Sequence, residues 1–364
     1  MSSVRPVQHL TIASLRQSTG DSPLGASFDA QLERRVERET KTGKPYYEIF
    51  LVDGTGEMKL KIWDNLPQFR ALQEIADGTL LRLSGEWTQN QYGMDSGKWD
   101  MRLLNEQEGA DFLAGDPATR ARQDADWADI ERMTGDIADP RLHAICVEFA
   151  SQYGDRFRRS AAARKNHHAR RGGLVEHVAQ MMRAAEAMCS VYPAINRDLL
   201  VTGVLFHDCG KMWENNYPEV GFTQPFNIHG EMLGHITLGI ETVNKLWRDL
   251  MEQPCAQQWA GIEPASEDVH LHLLHLVASH HGTHEWGSPT LPRTPEAMAL
   301  HYIDNMDAKY EMMRMGYESC PEIGPGIQER QFPLPANLVK PLAHFSAEDV
   351  PTAGESAEAA AETG

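Results

Sequence analysis

The residues best suited to chemistry gather around Leu205-Phe206-His207-Asp208-Cys209-Gly210-Lys211, where an adjacent His-Asp pair closes an apolar run. Further metal-ligand side chains stand at His177, His235, His280, His281 and Asp304, on segments that read as separate helices. A buried metal centre can therefore be assembled from the second half of the chain. Imidazole and carboxylate donors without thiolates select divalent ions such as manganese, iron or magnesium over structural zinc, and open positions on such ions are where water is activated. That combination predicts a hydrolase.

Spacing constrains how these residues are carried. Adjacent helix residues point about 100° apart, so His207 and Asp208 share one ion only from a helix end or an irregular turn, which Gly210 permits. A carboxylate can also bridge two ions with its two oxygens. The His280-His281 pair repeats the pattern, following Leu273, Leu274, Leu276 and Val277 and preceding Gly282. Asp304 falls in a predicted helix over Pro295 to Lys309, with Asp307 one turn further on. Histidines in helical proteins are more often solvated or hydrogen-bonded than metal-bound, and His9, His143, His229, His270, His272, His275 and His344 are read that way. His167 and His168, just before Ala169-Arg170-Arg171-Gly172-Gly173, stand between the two classes, as proton donors or phosphate contacts in the cleft or as a helix cap. His168 is kept as a candidate catalytic residue.

Two regions must position these groups. With 364 residues and 41% hydrophobic content, the chain is long enough for two packed domains. Residues from about Val7 to Asn105 alternate like strands, while those from about Asp124 to Ala343 carry helical periodicity. Asp53-Gly54-Thr55-Gly56 separates Tyr47–Leu51 from Met58–Ile62, the pattern of a hairpin, and a third run covers Thr79 to Glu86. So few strands in roughly a hundred residues suit a small barrel such as an oligonucleotide-binding (OB) fold. The expected organisation is an OB domain over 1–108, a linker over 109–125, an all-helical domain over 126–343 and a disordered acidic tail over 344–364. The linker is inferred from Gly109, Gly115 and Pro117 among charged residues. The tail lacks the apolar residues that would offset the entropy of ordering.

Composition narrows the setting. Five scattered cysteines without a C-x-x-C pair argue against a disulfide framework or thiolate zinc site and fit a reducing cytoplasm. The first residues lack the long apolar core of a signal peptide and no later run reaches membrane-spanning length, so a cytoplasmic protein is expected. A net charge of -18 disfavours general contact with nucleic acid, whose phosphates are met by Lys and Arg. Any such surface must be local. On the barrel, alternation turns Tyr47, Ile49, Leu51, Met58, Leu60 and Ile62 inward and leaves Tyr46, Phe50, Lys59, Lys61 and Trp63 outside. Rings interleaved with lysines suit single-stranded nucleic acid, though Phe50 and Trp63 could instead cover a domain interface. A second basic run (Arg156, Arg158, Arg159, Arg164, Lys165, Arg170, Arg171) leads to His177; its Lys165, Arg170 and Arg171 are the candidate guides for a backbone moving toward the metals.

Several segments resemble the HD phosphohydrolase superfamily: Gly172-Gly173-Leu174-Val175-Glu176-His177, His207-Asp208-Cys209-Gly210-Lys211, Gly234-His235-Ile236, Ser279-His280-His281-Gly282 and Asp304-Asn305-Met306-Asp307-Ala308-Lys309. More narrowly, Glu285-Trp286-Gly287-Ser288-Pro289, Leu300-His301-Tyr302-Ile303-Asp304, Gly43-Lys44-Pro45-Tyr46 and Asp53-Gly54-Thr55-Gly56-Glu57 resemble the YhaM-type 3'-to-5' exoribonucleases. The resemblance implies one ion on His177, His207, Asp208 and Asp304, a second on Asp208, His235, His280 and His281, and phosphate contact by Lys211. The chain departs from the family after Met315, at Cys320-Pro321-Glu322-Ile323-Gly324-Pro325-Gly326.

The expected fold is thus an N-terminal OB barrel followed by an all-α HD domain. The expected activity is 3'-to-5' shortening of single-stranded RNA or short oligonucleotides with two divalent ions, manganese first and iron or magnesium as substitutes. Asp208, Lys211 and His168 are the candidate catalytic residues, and polarity comes from the resemblance alone. A homo-oligomer is the other partner considered, with Met306, Met312, Met313 and Met315 as core or as its face. The alternatives are a phosphohydrolase for cyclic or free nucleotides with a regulatory barrel, and a single-strand-binding protein with a structural metal site.

Overall fold

In the first hundred residues, alternation of apolar and polar side chains is what makes a strand bury one face. The computed structural model, which describes residues 8–20, 22–90 and 93–344, forms there β1 (Gln8–His9), α1 (Ile12–Ser18), β2 (Leu24–Glu39), β3 (Pro45–Val52), β4 (Glu57–Trp63), α2 (Pro67–Gln73), β5 (Leu80–Asn90) and β6 (Gly93–Leu103). Two short helices therefore join the strands expected from the sequence. The sheet runs β4-β3-β2-β5-β6, antiparallel throughout, with β1 parallel to β2. Long β2 serves both halves, pairing with β5 through Leu24–Gln31 and with β3 through Gln31–Glu39. Gln68 on α2 donates to the Trp99 carbonyl of β6. The predicted hairpin register holds, with Tyr47 opposite Ile62, Ile49 opposite Leu60 and Leu51 opposite Met58, all buried. Asp53 accepts the amides of Thr55 and Gly56 on one oxygen and that of Ile12 on the other, which ties the turn to α1.

The stretch expected to be a linker is helical: α3 (Glu106–Ala114) and α4 (Pro117–Gly135) cover most of 109–125. Its breakers mark helix ends instead. Gly115 closes α3 at φ 73°, and Pro117 occupies the first turn of α4, where a missing N–H costs nothing. Asn105 and Glu108 form a reciprocal cap on α3, and Glu108 also pairs with Arg82 and Arg102 of the barrel (2.9 and 2.6 Å).

Helical periodicity then continues as α5 (Pro140–Arg159), α6 (Gly173–Val191), α7 (Arg197–Phe206), α8 (Lys211–Glu214), α9 (Ile228–Met251), α10 (Ser266–Ser279) and α11 (Pro295–Ser319). Their shared core includes Phe149, Phe157, Leu174, Val178, Val204, Phe206, Leu276 and Val277. Helices α7 and α10 pack so closely that a Cβ on Gly203 would lie 2.2 Å from a methyl carbon of Leu276. The chain divides into two compact units between Ala308 and Lys309. Within the second, three short strands, β7 (Glu322–Gly324), β8 (Ile327–Gln328) and β9 (Leu338–Val339), form an antiparallel sheet, so the expected helical region is not helical to 343. Gly326 makes its first turn at φ 68°. Of the expected acidic tail only His344, exposed, is among the described residues; the rest lies outside them. No helix among the described residues is long and apolar enough to cross a membrane.

Candidate metal centre and nucleic-acid interface

Helix ends supply the centre. Helix α7 stops at Phe206, His207 caps it, and the turn through Asp208, Cys209 and Gly210 leads into α8. His280 caps α10, and Gly282 reverses the chain at φ 78°. His235 follows a break in α9 at Gly234 (φ 70°), while His177 and Asp304 come from within α6 and α11. The irregular positions inferred for the two doublets are therefore present.

Each imidazole is held by its outer nitrogen. Nδ1 of His207 donates to the Val204 carbonyl (2.7 Å), that of His280 to Val277 (2.8 Å) and that of His281 to Trp286 (2.6 Å). Nδ1 of His177 meets Asp307 (2.7 Å) and that of His235 meets Glu214 (3.0 Å). Such partners orient the ring and leave Nε2 with its lone pair for a metal. Four of the five Nε2 atoms converge on Asp208. His207 (3.3 Å) and His177 (3.7 Å) approach its Oδ2, whereas His235 (3.5 Å) and His280 (3.6 Å) approach its Oδ1. Asp304 Oδ1 lies 3.4 Å from His177 Nε2, and Lys211 Nζ is 2.6 Å from Asp208 Oδ2.

The donor set fits divalent cations on two grounds. Nε2 of His177, His207 and His280 and Oδ1 of Asp208 are buried without a hydrogen-bond partner, a costly arrangement for polar atoms. In addition, Nε2 of His235 and Nε2 of His281 stand 3.2 Å apart while both Nδ1 atoms serve as donors. Two facing lone pairs at that distance repel unless a cation is shared. A third grouping, His168 with His177 and Asp307, is already closed by the short His177–Asp307 contact, which leaves no room for an ion.

A model of the HD domain matches residues 174–309. Curated relatives include the 3'-5' exoribonuclease YhaM of Bacillus pumilus, 33% identical over 309 residues, or 83% of this chain and 90% of the relative. The protein of the same name from Bacillus licheniformis is 33% identical over 311 residues, with the same coverage of both chains. This chain belongs to the YhaM family. Among solved structures, the second OB-fold domain of replication protein A from Methanococcus maripaludis is similar to 27% of the chain at 20% identity, with a TM-score of 0.21 and 97% of that domain covered.

Electrostatics in this YhaM-family centre follow from burial opposed by close charges. Burial would raise Asp208, yet Lys211 and His207 hold its carboxyl well below the usual range. Burial would likewise raise Asp304, but the close imidazoles of His177 and His207 lower it. Burial lowers His281 to about 4. For His177, burial is outweighed by the neighbouring carboxylates of Asp304 and Asp307, which raise the imidazole to about 9. A cation on Nε2 must displace that proton. Below about pH 9, uptake is therefore expected to release a proton and to strengthen by up to about tenfold per pH unit, flattening above it. Calorimetry in buffers of different ionisation enthalpy counts the protons released; affinity that stays level from about pH 6 to 8 would contradict this arrangement.

Two expectations need correction. His168 does not join the inward ring: it is buried, at φ 44°, with Nε2 3.1 Å from Asp307 and Nδ1 3.6 Å from Glu176. It reaches the centre only through Asp307 and His177. His167, whose ring lies 5.5 Å from that of His177, is pushed down to about 3 by burial, with Lys211 adding to the effect. The basic run is likewise engaged. Arg156 donates to the Met212 carbonyl, Arg159 to Tyr217, Arg164 to Glu214 and Pro225, and Arg171 to Pro218 and Glu219, while Arg170 pairs with Glu176. These guanidinium groups clamp the segment between α8 and α9. Lys165 is exposed.

The outer face of the barrel keeps the predicted residues and adds others. Across β2, β3 and β4 it reads Arg38-Tyr46-Trp63, Val36-Glu48-Lys61 and Arg34-Phe50-Lys59. Arg34 lies over the Phe50 ring (3.8 Å), Tyr46 packs against Trp63 (5.0 Å), and Glu48 pairs with Lys59 and Arg38. Sequence reading missed Arg34 and Arg38 because the pairing of β2 shifts between Leu32 and Arg34. Without that bulge Arg34 would share the inward face of Leu32. Glu214 and the Trp286 carbonyl were also missed, having no spacing signal of their own.

Proposed function

We propose that this chain is a metal-dependent phosphodiesterase that shortens single-stranded RNA from its 3' end. The observation that carries the reading is the convergence of four Nε2 atoms on the two oxygens of one buried aspartate, with a fifth, that of His281, 3.2 Å from the Nε2 of His235. Family membership supports the substrate and polarity. His177, His207, Asp208 and Asp304 would hold one ion and Asp208, His235, His280 and His281 a second, manganese or iron being the divalent ions proposed for this mixed imidazole and carboxylate set. Such a pair supplies Lewis acidity and lowers the pKa of water. Asp208 spans both positions, Asp307 and Glu214 hold the His177 and His235 rings, and Lys211, beside Asp208, is placed to offset charge on a non-bridging phosphate oxygen. His168 acts as a positioning residue behind Asp307.

A barrel domain over 1–108 with α4 opening the helical part, a cytoplasmic location and a homo-oligomer belong to the same proposal; Met306, exposed on α11, supports the last. RNA labelled at either end, incubated with and without manganese, tests the activity. Mononucleotides released from the 3' label first are expected; release from the 5' end, or none, would end the reading. Tyr46, Phe50, Lys59, Lys61 and Trp63, with Arg34 and Arg38, would hold the strand upstream. Replacing both Trp63 and Lys61 by Ala is expected to weaken binding of a long RNA by roughly 1–3 kcal/mol per lost stacking contact, with a dinucleotide still hydrolysed. An equal loss on both substrates would remove this face from the substrate path.

A further inference from the structure

We propose that Trp286 is the stacking platform for the base of the 3'-terminal nucleotide, an inference that rests on the exoribonuclease reading. The Trp286 carbonyl accepts the Nδ1–H of His281 at 2.6 Å, and His281 Nε2 lies 3.2 Å from that of His235. The residue whose carbonyl orients one inner imidazole thus also carries a large aromatic side chain, packed near His301. Trp286 is 52% exposed, whereas His177, His207 and His280 are fully buried. His281 is half-buried, so exposure rises from His280 toward Trp286.

The turn that presents the ring is fixed. His284–Trp286 form one 3-10 turn, closed by Gly287 at φ 88°. His284 Nδ1 meets the Ser288 carbonyl (2.9 Å), and Ser288 Oγ donates to the carbonyls of Thr290 (2.8 Å) and Ala278 (3.2 Å), joining the turn to α10. His301 stands 6.0 Å from the Trp286 ring, its Nδ1 donating to the His280 carbonyl, and fills the space a Cβ on Gly282 would need. Tyr302, 59% exposed, continues the row 5.2 Å from His301.

An exposed aromatic residue is ordinary, but the backbone of this one is held at a fixed distance from an inward imidazole. Stacking suits an enzyme that must accept each nucleotide in turn, since every base offers a π-face. The terminal base is the assigned occupant because it is present at every round, however short the chain becomes. A contact that serves each cycle cannot depend on length.

The test compares the unaltered protein, Trp286→Ala and Trp286→Phe on RNA ending in an ordinary nucleotide and on the same RNA ending in an abasic one. For the ordinary end, Trp286→Ala should raise KM by about fivefold to a hundredfold, with the loss in KM rather than kcat. For the abasic end the proteins should share one already elevated KM. Trp286→Phe should recover most of the ordinary-end affinity, and all three should bind equal amounts of manganese, because the contact to His281 is made by backbone. Equal losses on both ends, dependence on an abasic penultimate position instead, or lost manganese in Trp286→Ala would each overturn the subsite. RNA degraded normally by Trp286→Ala sinks the subsite alone, whereas RNA left intact by the unaltered protein with every divalent ion brings down the exoribonuclease reading and the subsite with it.

Discussion

Asp208→Asn is expected to reduce RNA hydrolysis roughly a thousandfold or more while RNA binding changes little. Among the described residues, Asp208 is the side chain whose two oxygens face both sets of imidazoles, Oδ2 toward His177 and His207 and Oδ1 toward His235 and His280. An amide presents one oxygen and no charge, so it cannot serve two cations, and its NH2 group would face Nε2 lone pairs or Lys211. The loss of charge also leaves Lys211, 2.6 Å from Oδ2 and nearly buried, without its partner. His235→Gln should do less damage, since His235 approaches only Oδ1 and the set around His177 stays intact. Metal analysis of both purified variants separates the cases: Asp208→Asn that retains two ions per chain and turns RNA over at the parent rate would refute the bridging role.

Gly210→Ala is the second large effect, and no ligand is touched. A Cβ at this position would lie 1.9 Å from the His235 carbonyl oxygen and 2.8 Å from the Gly239 amide nitrogen. Both obstacles are backbone, so no side chain can rotate away. Either the turn carrying Asp208 or the segment carrying His235 must move, and Asp208 Oδ1 and His235 Nε2 are only 3.5 Å apart. A destabilisation of about 3 kcal/mol or more is expected from the overpacking, together with loss of metal. Because Gly210 has φ -64°, the cause is crowding and not backbone strain. Thermal unfolding with and without added manganese measures both parts. A variant with parent-like melting and metal content would show that α8 and α9 can separate there at little cost.

The histidines and aspartates of the centre were legible because their types and doublets have few other uses, and Gly210 and Gly282 announced the turns that a doublet needs. Helix ends proved harder to read. Gly115 and Pro117 were taken for a linker, yet the same residues close one helix and open the next, since a left-handed residue and a proline suit helix ends as well as loops. Charge was the least legible signal. Arg156, Arg159, Arg164 and Arg171 look like a phosphate track in the sequence but bind carbonyl groups up to about sixty residues away, and only the folded chain says which carbonyls lie within reach.

By itself, then, the sequence determined the two fold types, the inward face of the barrel hairpin and the ligand chemistry, because period-2 and period-3.6 patterns and the donor types are local properties. The tertiary structure alone decided which nitrogen of each imidazole faces inward, since that depends on carbonyls and carboxylates brought in by other elements. It also placed His168 behind Asp307 and turned Arg34 outward through a bulge that no periodicity records. These are outcomes of pairing between distant segments, where a shift of one residue or a single hydrogen bond changes the face a side chain presents.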